Sequence, residues 1–112
     1  MNINITFRQM VGSDAVKAHV HDKTAKLQKF LRQPMNANVT LAVEGLDHIA
    51  EVALASGSEH FHATERSADM YASIDMVHDK LERQIREVHS TQKKKGAERA
   101  SDRLLPDEPE KE

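Results

Sequence analysis

Two hydrophobic periodicities alternate along this chain, and their order constrains its fold more than any other feature. Residues 3–7 alternate between apolar and polar side chains, as in a strand with one buried face. Apolar residues then recur at helical spacing over residues 14–31, where Ser13 is a good N-cap and Pro34 limits the far end. The sequence therefore predicts a strand followed by a helix.

Three shorter alternating runs follow the first helix. They centre on residues 39–43, 50–54 and 61–63, and short turns at residues 45–47 and 56–58 separate them. Strands that are consecutive in sequence and joined by short turns usually pair as antiparallel neighbours. The three runs therefore predict an antiparallel meander.

A second helix begins at Ser67 or Asp69 and keeps the apolar period of a helix for about five turns. Met70 and Tyr71 fall on its apolar stripe, so we expect both side chains in the core. His78 falls on the same stripe and is expected to be packed in the core or at its edge. The stripe predicts that this helix packs against the sheet.

The order of elements is thus strand, helix, three strands, helix. Each helix must bury its apolar stripe against the sheet, which predicts an α+β two-layer domain. We expect a four-stranded sheet with both helices packed on one face, as in a double-stranded-RNA-binding domain. A chain of 112 residues is long enough for one such domain, which we place at residues 1–95.

The remaining residues, 96–112, differ in composition from the predicted domain. From Glu98 onward the chain has six acidic and three basic residues, whereas the residues before it have twelve and thirteen. The net charge of -2 therefore comes from this segment. Two of the three prolines also lie there, and little is available to bury except Leu104 and Leu105. We expect an acidic tail that is disordered or becomes ordered only on binding.

What the sequence lacks excludes several classes of protein. No apolar run approaches the roughly 18 residues that span a bilayer, and no signal peptide precedes the first strand, which predicts a soluble, cytoplasmic protein. Without cysteine there are no disulfides, thiolate metal sites or Cys nucleophiles. A Gly-rich phosphate loop and a nucleophile elbow are also missing. We therefore expect no enzyme, no cofactor, no small-molecule substrate and no membrane partner.

Seven histidines raise the question of a metal site. His60 and His62 share one face of the last predicted strand, but a zinc site normally needs three or four protein ligands. His48 becomes a third ligand only if the strand register brings it close. Solvent-facing histidines are the simpler interpretation, and we predict no metal site.

Basic side chains follow the outer flanks of both predicted helices. A helical wheel places these on one flank of the first helix: His19, Lys23, Lys26 and Lys29. On the second helix they are Lys80, Arg83 and Arg86, extended by Lys93, Lys94 and Lys95. Ion pairs at the spacing of Asp79–Arg83 and Glu82–Arg86 would instead make this a solvated helix face. Adjacent lysines repel one another, so the triple lysine favours a phosphate or carboxylate ligand.

Several segments together resemble a known family. They are residues 1–6, 25–27, 69–75 and 79–84, of which Asp-Met-Tyr-Ala-Ser-Ile-Asp at 69–75 is the most specific. In these segments the chain resembles the bacterial ribosome hibernation promoting factors over about residues 1–95. The fold of that family has the element order predicted above.

Within that family the chain is similar to the branch called ribosome-associated inhibitor A, or protein Y, which continues into a tail. The similar residues are Arg-Gln-Met at 8–10, Lys-Gly at 95–96, Glu-Arg-Ala at 98–100 and the acidic end. The chain departs from this branch in the Gly-Ser-Asp start of the first helix and in the prolines of a less acidic tail. A second branch, the short hibernation promoting factor, ends soon after the second helix.

The resemblance implies a stationary-phase and stress factor, monomeric when free, that binds the small ribosomal subunit and its rRNA. It implies occupation of the channel for mRNA and the A- and P-site tRNAs, which inhibits translation. The protein Y branch keeps ribosomes inactive as single particles, whereas the short branch helps to form ribosome dimers. The residues implied to bind rRNA are Lys23, Lys26, Lys29, Lys80, Arg83 and Arg86, with Lys93, Lys94 and Lys95 as weaker candidates.

Two other functions stay open at this point. One is an RNA-binding module that acts away from the ribosome, for instance on duplex RNA. The other is a protein-interaction domain, including one that modulates an alternative sigma factor.

Overall fold

Four strands and two helices follow one another in the predicted order. A computed structural model describes residues 1–95, with side chains up to His89. The elements are β1 (Asn2–Arg8), α1 (Asp14–Lys26), β2 (Met35–Glu44), β3 (Asp47–Ser56), β4 (Glu59–Ser67) and α2 (Met70–Lys95). A 3-10 helix, Leu27–Phe30, continues directly from α1. The predicted tail at 96–112 and the side chains of Lys93, Lys94 and Lys95 lie outside the described residues.

The strands form one sheet in the order β1-β2-β3-β4. β1 pairs parallel to β2, with Ile5 opposite Val39, and α1 makes the crossover that parallel neighbours require. β2, β3 and β4 pair antiparallel. Gly45 and Gly57 open the two hairpin turns with positive φ angles of 62° and 60°, a conformation that favours glycine. The predicted meander and the α+β fold are confirmed.

Both helices pack on one face of the sheet and enclose an aliphatic core. Alternate residues of each strand face the helices, and Leu41 and Val52 on the central strands are completely buried. Val20 on α1 and Ile74 on α2 are buried against them. Each such side chain contributes about 1.5–3 kcal/mol relative to an exposed one. The helical face of the domain is therefore a rigid support for the side chains on its outer side.

The first helix begins as predicted but changes geometry before its predicted end. Ser13 Oγ accepts a hydrogen bond from the Val16 N–H at 3.2 Å and caps α1. At Leu27 the backbone tightens from α to 3-10 geometry. The side chain of Gln28 then accepts a hydrogen bond from the Met35 N–H at 2.9 Å. This contact ties the end of the helix to the start of β2.

The two helices run side by side in the same direction. Residues later in the first helical segment contact residues later in α2: His19 contacts Asp75, Thr24 contacts His78, and Phe30 contacts Arg86. The direction follows from the sheet, because β1 and β4 point the same way and each is followed by a helix that returns along it. His78 is packed in the core, as predicted. Among the described residues, no helix is both long and apolar enough to cross a membrane.

Tyr71 is not in the core, and the prediction for this residue was wrong. Met70 is only 5% exposed, as predicted, whereas Tyr71 is 40% exposed. One step along a helix turns the side chain by about 100°, so Met70 and Ile74 face the sheet while Tyr71 turns toward α1. There its ring meets the ring of His19 edge-on, with centroids 5.1 Å apart and planes at 75°.

Candidate RNA-binding surface

The two predicted cations of α1 lie in different environments. Lys23 Nζ is 3.5 Å from Asp75 Oδ1 on α2, and the same oxygen is 2.8 Å from His19 Nε2. Burial acts to raise the pKa of Asp75, but the hydrogen bond with His19 and the charge of Lys23 hold this pKa below its usual value. Lys23 is therefore partly neutralised. Lys26 is exposed and forms no ion pair with the side chains that the structure describes.

Lys80, Arg83 and Arg86 spread over the exposed width of α2. Lys80 Nζ lies 3.4 Å from Glu65 Oε2, on the side of the helix that faces β4. Arg86 lies on the opposite side, toward the 3-10 helix. Arg83 falls between them and is exposed. The three cations thus cover a band across the exposed side of the helix.

One of the two ion pairs predicted along α2 is present. Arg86 Nη2 lies 3.2 Å from Glu82 Oε2. No ion pair joins Asp79 to Arg83 within residues 1–89. An exposed pair four residues apart is worth only about 0.3–0.5 kcal/mol, so Glu82 leaves Arg86 available to a second anion.

Phe30 brings cations of the two helical segments together. Lys29 Nζ lies 5.3 Å from the centroid of the Phe30 ring, and Arg86 Cζ lies 5.2 Å from it. Contacts of this kind contribute about 0.5–1 kcal/mol at exposed sites and hold the charge over the ring. We call Lys29, Phe30 and Arg86 the Phe30 cluster. The cluster joins the basic flank of α1 to that of α2, which separate helical wheels do not show.

A cleft of about 680 Å³ opens beside the Phe30 cluster. Its walls include Arg32, Glu59 and His89, and His89 Nε2 lies 3.2 Å from each Glu59 carboxylate oxygen. Arg32 is an exposed cation that was not among the predicted residues, because it follows the last helical turn and a helical wheel does not include it. The sequence did hold one signal that Arg32 belongs to the basic surface, namely its position at the end of a basic helix, two residues before Pro34. The cleft extends the basic surface beyond the helices.

The histidines considered as metal ligands do not converge. His60 and His62 lie on the face of the sheet away from the helices, and His62 Nε2 is 2.7 Å from Glu51 Oε2. The register places His48 opposite Ser67, at the other end of β3 and on the other face. Among the described residues, no three His, Asp or Glu side chains are close enough to hold a metal ion.

Comparisons with known proteins agree with this fold. The family model described as Sigma 54 modulation protein / S30EA ribosomal protein matches residues 3–93. The chain is 35% identical to the ribosome hibernation promoting factor of Salmonella typhimurium over 85 residues, which cover 76% of this chain and 90% of that relative. It is 30% identical to ribosome-associated factor Y of Haemophilus influenzae over 103 residues, which cover 91% of this chain and 96% of that relative.

Solved structures share the whole arrangement of sheet and helices. The N-terminal domain of protein Y from Thermus thermophilus matches with a TM-score of 0.74 and 30% identity, over 79% of this chain and 99% of that domain. A ribosomal subunit interface protein from Coxiella burnetii, 21% identical, has the same fold with a TM-score of 0.69 over 80% of this chain and 99% of its own. The family match runs from β1 into α2, and this chain belongs to the Sigma 54 modulation protein / S30EA ribosomal protein family.

Proposed function

We propose that this protein binds the small ribosomal subunit through the outer face of its two helices. Bound there, it occupies the channel for mRNA and the A- and P-site tRNAs and inhibits translation. The names of its relatives, ribosome hibernation promoting factor and ribosome-associated factor Y, support ribosome binding. The observation that carries the proposal is the Phe30 cluster, which makes the basic flanks of α1 and α2 one surface. The proposed function is binding, with no catalytic step.

The chemistry of this surface suits the phosphate backbone of rRNA. Lys26 and Arg83 are exposed and unpaired among the described side chains, and Lys29 and Arg86 meet at the ring of Phe30. Cations placed in this way contact phosphates and read shape, without selecting a base sequence. Each contact releases counterions, so we expect affinity to fall steeply with salt.

The remaining predicted cations rank below these four. Lys23 and Lys80 each lie near a carboxylate, which RNA phosphate must displace before it gains their full charge. Lys93, Lys94 and Lys95 continue α2 in the direction of the cleft, and we retain them as weaker contacts.

We propose that the bound ribosomes stay single, as the protein Y branch implies. The match to factor Y covers 91% of this chain, so it necessarily reaches past residue 95, whereas the match to the hibernation promoting factor covers 76%. In this proposal residues 1–95 bind the subunit, and residues 96–112 occupy space on the path of mRNA. The protein acts in the cytoplasm, where ribosomes are, and is monomeric when free.

A double charge reversal tests the proposed surface. Lys26→Glu with Arg83→Glu is expected to lower affinity for small subunits by more than about ten-fold, because two phosphate contacts become repulsive. Co-sedimentation over a range of protein concentrations measures this affinity. The melting temperature should not fall, since both side chains are exposed and outside ion pairs of the described residues.

A matched control separates the surface from the net charge. Arg8→Glu with Arg66→Glu changes the charge equally on the face of the sheet away from the helices, where both side chains are exposed. Arg66 Nη1 lies 3.1 Å from Asp47 Oδ2, but an exposed ion pair of this kind is worth at most about 1 kcal/mol. This variant should bind like the original protein. Equal loss in both variants would mean that only net charge matters, and full binding by the helix variant would refute the residue assignment.

A further inference from the structure

Tyr71 is an exposed aromatic side chain that the core does not use. Its neighbours Met70 and Ile74 supply the apolar contacts of this turn and are buried, while Tyr71 keeps 40% of its surface exposed. It lies on the flank of α2 that faces α1, about one turn before Asp75, which engages Lys23. The exposed part of the ring is open to a ligand.

The ring is braced by the network between the helices. His19 packs edge-on against it at 5.1 Å, and His19 Nε2 is held 2.8 Å from Asp75 Oδ1. At the start of α2, the Tyr71 N–H donates to Asp69 Oδ1 at 3.2 Å, which fixes the backbone that carries the ring. A side chain that is already ordered loses little conformational entropy when a ligand binds.

The exposed ring and its place on the proposed RNA-binding face define the class of ligand. The charges next to the ring are mixed, because Lys23 Nζ lies 3.5 Å from the same Asp75 oxygen and the Asp69 carboxylate accepts from the Tyr71 N–H. The feature that this turn offers to a ligand is therefore the ring itself, which matches the flat π surface of an unpaired nucleobase. Aromatic side chains bind unpaired bases of RNA by stacking, whereas lysine and arginine bind the phosphates.

We infer that Tyr71, braced by His19, is a stacking site for an unpaired nucleobase of the RNA that binds the helical face. The inference rests on the proposed function, because that function brings RNA to this surface. It adds a contact to a base, where the basic side chains contact only the backbone.

The chain offers a direct spectroscopic test, because Tyr71 is its single tyrosine and it has no tryptophan. Tyrosine emission of the full-length protein therefore reports this ring alone. Titration with a single-stranded oligoadenylate, on the order of twelve nucleotides long, should quench the emission in a saturable way. An abasic ribose-phosphate oligomer of equal length carries the same charge without bases and should bind with little quenching. Equal quenching by both oligomers, or binding without quenching by either, would overturn the inference.

Affinity for small subunits gives a second, independent readout. Tyr71→Phe keeps the ring and should bind normally, whereas Tyr71→Leu keeps apolar bulk without a π face and should bind at least about five-fold more weakly. Leu46→Ala removes an apolar side chain that is 89% exposed in the β2–β3 turn and should have no effect. Melting temperatures of all variants show whether folding is preserved.

These outcomes distinguish the stacking site from the proposed function. Salt-sensitive binding of the original protein, with Tyr71→Leu binding equally well, would refute the stacking site and leave the basic surface intact. Failure of the original protein to bind small subunits at all would refute the proposed function. If Tyr71→Leu loses both stability and affinity, its affinity does not test the stacking site. The comparison of quenching by oligoadenylate and by the abasic oligomer, made on the original protein, then tests it.

Discussion

The hydroxyl of Thr24 on α1 lies 2.7 Å from Nε2 of His78 on α2, and both side chains are buried. His78 Nδ1 donates to the Ile74 carbonyl at 2.8 Å, since a carbonyl oxygen can only accept. Nε2 then carries no proton and accepts the hydrogen bond of the Thr24 hydroxyl. This polar contact within an aliphatic core fixes the position of one helix against the other, and with it the spacing of the basic side chains above.

Removal of the hydroxyl should destabilise the fold. Thr24→Val keeps the shape of the side chain but leaves His78 Nε2 buried without a donor, which should cost about 1–3 kcal/mol of unfolding free energy. Urea denaturation followed by circular dichroism measures the change. Thr64→Val, at an exposed position on β4, is the control and should stay within about 0.5 kcal/mol. Equal stability of the two variants would show that the hydrogen bond between the helices contributes nothing.

His78 should also make stability depend on pH. Burial lowers the pKa of His78 from its usual 6.5, and the charge of Lys23 acts in the same direction. The hydrogen bond from His78 to the Ile74 carbonyl and the charge of Asp75 oppose this shift, and His19 adds to it. The unfolded chain therefore takes up a proton near pH 6.5 that the folded chain still excludes.

The sign of the effect follows from this difference. The stability that neutral His78 contributes is complete above about pH 6.5 and declines as the pH falls from 6.5 toward the lower pKa of the folded state. Urea unfolding at about pH 7.5 and about pH 5.5 measures the decline. His78→Gln cannot titrate and should lose this part of the pH dependence. An unchanged difference between the two pH values in this variant would assign the effect to other groups.

Asp75 restrains a cation of the proposed surface. Asp75→Asn keeps the size of the side chain and an acceptor for His19 but removes the charge that engages Lys23. We expect tighter binding to small subunits and a salt dependence steeper by roughly 0.7, the contribution of one additional phosphate contact. Stability should change by less than about 1 kcal/mol, because this ion pair is partly exposed. Glu51→Gln, on the open face of the sheet, is the control for charge, and equal affinity of both variants would exclude this role for Asp75.

Truncation tests the division of the chain into a binding domain and a tail. A chain that ends after Gly96 keeps every strand, both helices and the Phe30 cluster, so it should bind small subunits with similar affinity. In sucrose gradients, the full-length protein should keep ribosomes single, whereas the truncated chain should restrain ribosome pairing less. Identical profiles for the two proteins would remove the proposed role of residues 96–112.

The element order could be predicted from sequence because local patterns determine it. Each strand alternates on a short scale, and each helix carries an apolar stripe that must face the sheet. The core therefore contains Val20, Leu41 and Ile74, as their spacing predicts. The parallel pairing of β1 with β2 depends on a contact between distant segments. The helix between the two strands favours this pairing, because parallel neighbours need a long crossover connection.

The candidate site was less predictable, because it depends on how one helix meets another. A wheel gives the direction of Lys23 but cannot show that Asp75 lies opposite it. It also placed Tyr71 on the apolar stripe, whose edge turns out to face α1 rather than the sheet. The meeting of Lys29 and Arg86 over Phe30 likewise requires the packing of both helices.

The most direct test of the central claim is competition for the ribosomal channel. Affinity for empty small subunits is compared with affinity for subunits already loaded with mRNA and a P-site tRNA, at the same salt concentration. If the protein occupies that channel, loading should weaken its binding by about ten-fold or more, and excess protein should release the tRNA. Equal affinity for empty and loaded subunits would contradict the account and place the protein elsewhere on the ribosome.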